Sequence, residues 1–140
     1  MMKYGSLILE KKEYVYLKRI LNISGYAEDF ETQKSLQRLS EELKNAQIVD
    51  EEDMPKDVIR FNSKVMVYSE NGWEKTIQLV IPSDKNAKQD KISILTPMGA
   101  ALFGYSRGDT IEWDFPSGKQ QIKIVTVSQE NAKNQSEISI

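Results

Sequence analysis

The sequence predicts an α+β protein, in which a short antiparallel helical hairpin precedes an antiparallel β-sheet domain with one short helix. Apolar residues recur at spacings of three and four before residue 50, and at a spacing of two beyond residue 63. An acidic segment that ends in Met54-Pro55 separates the two patterns, and proline cannot continue a helix. We therefore expect a helical hairpin over residues 1–53, a sheet domain over 54–128 and a flexible polar tail over 129–140.

Two amphipathic helices are predicted in the first part of the chain. The first covers residues 10–22, and its apolar stripe consists of Tyr14, Leu17 and Leu21. Gly25 favours a helix end, and Asp29 can cap the start of a second helix, with Glu31 in its first turn. The apolar stripe of the second helix consists of Leu36, Leu39, Leu43 and Ala46. Two such stripes joined by a short loop predict an antiparallel hairpin with the pattern of a short coiled coil.

Short strands are predicted next, because apolar and polar residues alternate with a period of two. The predicted strands cover residues 64–68, 74–80, 92–95, 110–115 and 119–127. Pro97 suits the first position of a helix, so we expect a short helix over residues 97–103 that Gly104 ends. Trp73 follows an Asn-Gly turn pair, and it either packs over the edge of the sheet or stays exposed for a partner. Trp113 is expected in the core.

The composition excludes several classes of function. The chain has no cysteine and no histidine, which excludes a disulfide, a thiolate nucleophile, an imidazole base and a conventional zinc site. A net charge of -2 argues against tight direct binding to nucleic acid through its phosphates. No apolar run is long enough to span a membrane, and Lys3 interrupts any signal-peptide core, so we expect a cytoplasmic protein. We expect a protein partner, with no cofactor, no bound metal and no catalytic residue.

Three motifs in the second half of the chain resemble the C-terminal domain of Gre-type transcription elongation factors. They are ILTPMGAALFG at residues 94–104, GDTI at 108–111 and PSG at 116–118. Segments further upstream are similar to a Gre-related subfamily, the regulator of nucleoside diphosphate kinase, or Rnk. These segments cover residues 54–59, 62–65 and 80–82. The resemblance is strongest after Met54 and is only architectural in the helical hairpin.

This resemblance implies an N-terminal coiled-coil finger and an FKBP-like C-terminal domain that docks on the rim of the secondary channel of bacterial RNA polymerase. The loop expected to contact the polymerase consists of Leu95, Thr96, Pro97 and Met98. Two of these residues have an equally good structural explanation, because Pro97 can simply start the helix and Met98 can pack in the core. Thr96 is the residue for which a docking role is favoured.

The tip of the finger carries three carboxylates, Glu28, Asp29 and Glu31. In Gre factors, two acidic residues at the tip help to hold a second magnesium ion at the polymerase active site, and oxygen ligands suit this metal. The helices predicted here are about half as long as Gre helices, and a length of about 20 to 27 Å leaves the tip short of the active site. The simpler interpretation is that Asp29 caps the second helix and Glu31 interacts with its dipole.

Three functions therefore remain open. The favoured one is a non-enzymatic regulator that binds RNA polymerase and modulates elongation without stimulating transcript cleavage. The alternative is a cleavage-stimulating elongation factor whose tip carboxylates are ligands of the Mg²⁺ in the polymerase active site. An FKBP-like fold also raises a peptidyl-prolyl isomerase, although no isomerase pocket is evident in the sequence and a fold does not determine function.

Overall fold

A computed structural model of the 140-residue chain describes residues 3–23, 30–115 and 118–129, without the side chains of residues 23, 30, 31 and 113–115. The helices in these ranges are α1 (Lys11–Ile23), α2 (Phe30–Leu43) and α3 (Pro97–Leu102). The strands are β1 (Ile8–Glu10), β2 (Gln47–Val49), β3 (Ser63–Ser69), β4 (Glu74–Val80), β5 (Lys91–Ser93), β6 (Thr110–Phe115) and β7 (Gly118–Gln129). The predicted α+β class is confirmed. None of the described helices is both long and apolar enough to cross a membrane.

Five strands form one sheet in the order β5-β4-β3-β7-β6. Neighbouring strands are antiparallel except β4 and β5, which are parallel, with Leu79 opposite Ile92. The sheet is therefore mixed, and the prediction of a wholly antiparallel sheet is wrong at this edge. The reason is the connection between the two strands. Residues 81–90 contain two short 3₁₀ turns and carry the chain back alongside β4, so that Lys91 lies opposite Gln78. β5 therefore runs in the same direction as β4.

A second sheet of two strands connects the two ends of the helical part. β1 and β2 are parallel, with Ile8 opposite Gln47 and Glu10 opposite Val49. Each strand has three residues, which is too short for an alternating pattern to be recognised, and the sequence prediction misses both. Because α1 follows β1 directly and only residues 44–46 separate α2 from β2, this sheet fixes the start of α1 near the end of α2.

Both predicted helices are present, with small shifts at their ends. Glu10, predicted as the first helical residue, ends β1, and its carboxylate accepts hydrogen bonds from the N–H groups of Lys12 (3.0 Å) and Glu13 (3.1 Å). These bonds satisfy N–H groups that the first turn of a helix leaves unpaired. α2 ends three residues before Ala46, which was predicted on its stripe. Residues 24–29 lie outside the described part of the chain, so the antiparallel hairpin stays a prediction.

One hydrophobic core extends from the helices into the sheet domain. Its residues from α1 and α2 are Leu17, Ile20, Leu36, Leu39 and Leu43. Its largest fully buried side chains further along the chain include Phe61, Leu79, Ile94 and Phe103. Tyr14 and Leu21 are half-buried and pack against this core. The helical part is therefore packed on the sheet domain, and the predicted division at residue 53 stays a prediction.

Candidate docking loop and helix junction

The loop between β5 and α3 is held by hydrogen bonds within itself and to the sheet. The carbonyl oxygen of buried Ser93 accepts bonds from the N–H (3.0 Å) and the hydroxyl (2.7 Å) of Thr96. The Ser93 hydroxyl oxygen accepts a bond from the N–H of Leu95 (3.0 Å). The N–H of Ile94 donates to the carbonyl oxygen of Val80 in β4 (3.0 Å). These bonds fix the shape of the loop without any partner.

Thr96 is the N-cap of α3. Its hydroxyl oxygen accepts a bond from the N–H of Gly99 (3.0 Å), and the same hydroxyl donates to the carbonyl oxygen of Ser93. Both hydrogen-bonding capacities of this side chain are therefore used to shape the loop. Pro97 occupies the first position of the helix, where its missing N–H costs nothing.

The four predicted docking residues lie together on this turn, and we call Leu95, Thr96, Pro97 and Met98 the docking loop. All four are half-buried, and two of them, Leu95 and Met98, pack partly against the core. The remaining surface of Leu95, Pro97 and Met98 is apolar. Their contact with a partner stays a prediction, but the structure brings them together as such a contact requires.

Gly99 allows α3 to approach β5 closely, which the sequence prediction misses. A Cβ atom at this position would lie 2.2 Å from the carbonyl oxygen of Ser93 and 3.0 Å from a methyl carbon of Leu79. No other residue type fits without movement of the backbone. The only signal in the sequence is a glycine inside a short helix, where glycine is otherwise unfavourable. Ser93 and Gly99 therefore shape the docking loop together with the predicted residues.

Thr96→Val, which keeps the shape of the side chain but removes the hydroxyl, is expected to lower the free energy of unfolding by about 1 to 2 kcal/mol. The loss arises because the N–H of Gly99 no longer has the hydroxyl oxygen of residue 96 as its hydrogen-bond acceptor. Thr96→Ser keeps the hydroxyl and should stay within about 0.5 kcal/mol of the wild type. Urea unfolding of the three proteins measures the difference. A loss in Thr96→Ser but not in Thr96→Val would show that the methyl group, rather than the cap, is what matters.

The predicted tip carboxylates lie at the margin of the described structure. Glu28 and Asp29 fall outside it, and Glu31 lies in the first turn of α2 without a described side chain. Among the side chains that are described, no acidic group of three or more is arranged to hold a metal ion. The roles of these three residues as helix caps or as metal ligands stay predictions.

Trp73 packs over the sheet, which decides between the two alternatives that the sequence left open. Its ring N–H donates to the side-chain oxygen of Gln120 (3.1 Å), which also accepts a bond from the hydroxyl of Ser69 (2.9 Å). The indole is half-buried and packs against the core. The side chain of Trp113 lies outside the described part of the chain.

A buried cluster of charged side chains joins α1 to the sheet domain. Arg60, in the segment before β3, donates from Nε to one carboxylate oxygen of Glu13 in α1 (2.7 Å). Its two terminal nitrogens donate to the two carboxylate oxygens of Glu51, at 2.7 and 2.8 Å. The other oxygen of Glu13 accepts a bond from the N–H of Phe61 (3.3 Å), and Glu10 lies 4.0 Å from the guanidinium. We call Glu10, Glu13, Glu51 and Arg60 the junction cluster.

The junction cluster holds three carboxylates and only one guanidinium. Burial raises the pKa of the Glu13 carboxyl to about 7, although Arg60 opposes the rise. The hydrogen bond from Arg60 lowers the pKa of Glu51, which is more exposed. Burial disfavours the charge on Arg60, but its bonds to Glu51 and Glu13 more than offset this effect and raise its pKa. The charge of Glu13 therefore changes near neutral pH.

α2 has its own contacts with the sheet domain. Glu42 accepts a hydrogen bond from the hydroxyl of Tyr105 (2.5 Å), and burial, together with this carboxylate, raises the pKa of Tyr105. Arg38 donates to the carbonyl oxygen of Glu112 in the edge strand β6 (3.1 Å). α2 also packs against α3, the helix that follows the docking loop. Both helices are thus attached to the domain that presents this loop, each through different residues.

The fold and these sites define a small α+β protein in which a preformed loop and two helices are held on one sheet domain, an arrangement suited to binding a partner. The family described as "Transcription elongation factor, GreA/GreB, C-term" matches residues 54–129, which is more than half of the chain. The chain therefore belongs to this family of transcription elongation factors, and the resemblance seen in the sequence is confirmed.

Relatives within the family have two different names. The chain is 37% identical over 81 residues to the "Regulator of nucleoside diphosphate kinase" of Escherichia coli strain K12, covering 57% of this chain and 60% of the relative. It is 30% identical over 96 residues to the "Transcription elongation factor GreA" of Christiangramia forsetii, covering 68% of this chain and 61% of the relative. The matches thus span about 60% of the length of these relatives.

The structural similarity extends beyond the segment that the family matches. A solved structure described as "Prokaryotic transcription elongation factor GreA/GreB from Nitrosomonas europaea" superposes with a TM-score of 0.71 at 32% identity. The superposition covers 89% of this chain and 98% of that chain. A coverage this large cannot come from residues 54–129 alone, so the helical part shares the similarity.

Proposed function

We propose that this chain is a cytoplasmic regulator of transcription elongation that binds bacterial RNA polymerase at the rim of its secondary channel through the docking loop. It modulates elongation without stimulating transcript cleavage and is not itself an enzyme. A coiled-coil hairpin over residues 1–53 and an FKBP-like domain over 54–128 are part of this proposal. The observation that carries it is the family match over residues 54–129, which includes the whole docking loop.

The rigidity of the docking loop supports a role in binding. Ordering a flexible loop when a complex forms costs free energy, and a loop that is already ordered avoids this cost. Here Ser93, Thr96 and Gly99 hold the turn through hydrogen bonds and a close approach of α3 to β5. Because the Thr96 hydroxyl is already satisfied inside the loop, docking depends mainly on the apolar surface of Leu95, Pro97 and Met98.

The length of the helices supports regulation without transcript cleavage. α1 has 13 residues and α2 has 14, so each is about 20 Å long at a rise of about 1.5 Å per residue. A carboxylate must lie about 2 Å from a magnesium ion to be its ligand, so a helix pair that stops short of the active site cannot supply one. In this proposal the helices act at the channel mouth, where they change access to the channel.

Pro97→Glu is expected to weaken retention of the protein on core RNA polymerase by about tenfold or more, because a charge must lose its water when it is placed in an apolar contact. A glutamate is well tolerated in the first turn of a helix, so the variant should fold. Pro97→Ala should keep retention, and Thr126→Glu adds the same charge on an exposed position of β7 as a matched control. A pull-down with purified polymerase measures all three. Equal retention of every variant would remove the docking loop from the proposal.

The retained complex also tests the absence of cleavage stimulation. A stalled, backtracked elongation complex is incubated with the protein, and the shortening of the transcript is followed over time. The proposal expects the rate of cleavage to match that of polymerase alone, while the rate of elongation changes. Faster cleavage that disappears in the variant Glu28→Ala, Asp29→Ala, Glu31→Ala would instead identify a cleavage-stimulating factor.

A further inference from the structure

The backbone of Arg60 is firmly fixed to the sheet domain. Its N–H donates to the hydroxyl oxygen of Ser63 (2.8 Å), and its carbonyl oxygen accepts a bond from the N–H of Ser63 (3.2 Å). The preceding residue, Ile59, donates to the carbonyl oxygen of Tyr105 (2.8 Å) and accepts a bond from the N–H of Gly104 (3.0 Å). The backbone of Arg60 is therefore held on the sheet domain beside the residues that follow α3, and only its side chain extends to α1.

The guanidinium of Arg60 binds Glu13 of α1 in a geometry that restricts the orientation of α1 as well as its distance from the sheet domain. It makes one bond to Glu13 and two to Glu51, and its planar shape leaves little freedom once all three bonds are made. The side chain of Arg60 is 6% exposed, so water competes weakly for these bonds. A lysine, with a single mobile ammonium group, would not hold both carboxylates in this way.

Stability alone is a poor explanation for the junction cluster. Burying charged groups costs free energy, and apolar residues of similar volume are often as stabilising as a buried ion pair. Apolar contacts already hold α1 in place, since Leu17 is fully buried and the ring of Tyr16 meets that of Phe61 edge-on at 5.8 Å. Burial of apolar surface is non-directional, and an edge-on ring pair fixes the angle of α1 less strictly than three hydrogen bonds to a planar guanidinium do.

We propose that Arg60 is a positioning residue, which sets the direction of α1 relative to the docking loop by bridging Glu13 and Glu51. The functional consequence rests on the proposed function, because this direction decides where the helices lie once the loop is bound to polymerase. The effect is large for a helix of this length. A tilt of about 20° at the base of a helix about 20 Å long moves its far end by about 7 Å.

The absence of cysteine in the chain allows spin labels to be placed at chosen positions only. Lys18→Cys on α1 and Lys123→Cys on β7 are both exposed, and pulsed electron paramagnetic resonance measures the distance distribution between them. The test variant combines Glu13→Leu with Arg60→Met, which replaces the bridge with apolar side chains of similar size. Tyr105→Phe is the matched control, because it removes the hydrogen bond that Tyr105 donates to Glu42 of α2 and leaves the bridge of α1 intact.

In the folded test variant, we expect the distance distribution to broaden or shift by several ångströms while the melting temperature stays close to that of the wild type. The control should keep the distribution of the wild type. An unchanged distribution in a folded test variant would overturn the proposal, because α1 would then keep its direction without Arg60.

Polymerase retention and elongation rate, measured on the same proteins, separate this proposal from the proposed function. The test variant should be retained on polymerase like the wild type but should lose its effect on elongation. A broadened distribution with an unchanged effect on elongation would overturn the positioning role. If the wild type is not retained on polymerase, the proposed function fails, and the distance distribution alone then decides whether Arg60 sets the direction of α1.

Discussion

Gly99→Ala is expected to lower the free energy of unfolding by about 3 kcal/mol or more. The added methyl group would lie 2.2 Å from the carbonyl oxygen of Ser93, which is a backbone atom of a paired strand. Overpacking costs about 1 to 3 kcal/mol where neighbouring side chains can shift, and here the neighbour is backbone that also accepts two bonds from Thr96. Urea unfolding measures the loss. Retention on polymerase should fall as well, because α3 must move away from β5.

Gly72→Ala is the matched control for this prediction. Gly72 has a left-handed backbone, with φ of 95°, which the helical Gly99 does not, and no atom lies within 4 Å of a Cβ added to Gly72. Its replacement should cost only the conformational penalty of about 1 to 2 kcal/mol and leave polymerase retention unchanged. If Gly99→Ala cost no more than Gly72→Ala, α3 could separate from β5 freely, and the docking loop would not be held as the structure indicates.

The long strands were predictable from the sequence because each alternates over enough residues to show its period. The ranges predicted for β4 and β6 agree with the structure at both ends, and β7 extends two residues beyond its predicted end. Shorter elements gave too little pattern. β5 was expected at residues 92–95 and lies at Lys91–Ser93, while β1 and β2 were missed. A strand of three residues forms because it pairs with another strand, and a local sequence pattern does not show that pairing. β1, for example, pairs with β2, which lies 39 residues further along the chain.

The sequence selected the residues of the docking loop but not the hydrogen bonds that shape it, and their docking role stays a prediction. The motif selected the four residues of the docking loop, and it favoured Thr96 for docking. The hydroxyl of Thr96 caps α3, and in the proposed function the contact with polymerase therefore depends on its apolar neighbours. The junction cluster had no signal at all, because Glu13 and Arg60 are separated by 47 positions and no periodicity relates them. Contacts of this kind depend on tertiary packing, which a single sequence does not encode as a local pattern.

Arg60→Met is expected to have the largest effect of any single substitution considered, with a loss of about 3 to 5 kcal/mol at pH near 8. The variant leaves the carboxylates of Glu10 and Glu13 buried without a counter-charge, whereas Glu51 can turn toward solvent because it is already exposed. Chemical unfolding at a fixed pH measures the loss. The double variant Arg60→Met, Glu13→Leu should recover much of it, because the more deeply buried of the two carboxylates is then absent.

The loss caused by Arg60→Met should also shrink as the pH falls. The pKa of Glu13 in the folded protein is about 7, above the value of 4.5 expected for the unfolded chain, so the folded state binds this proton more tightly. For such a carboxyl, the free energy of unfolding is highest below the unfolded pKa and decreases as the pH rises through the folded pKa. Removal of Arg60 raises that pKa further. As the pH is lowered from about 8 to about 5.5, the free energy of unfolding of the variant should therefore increase more than that of the wild type. The double variant lacks the titrating group and should show a weaker dependence in this range. A loss of equal size at both pH values would mean that the charge of Glu13 is not the reason for it.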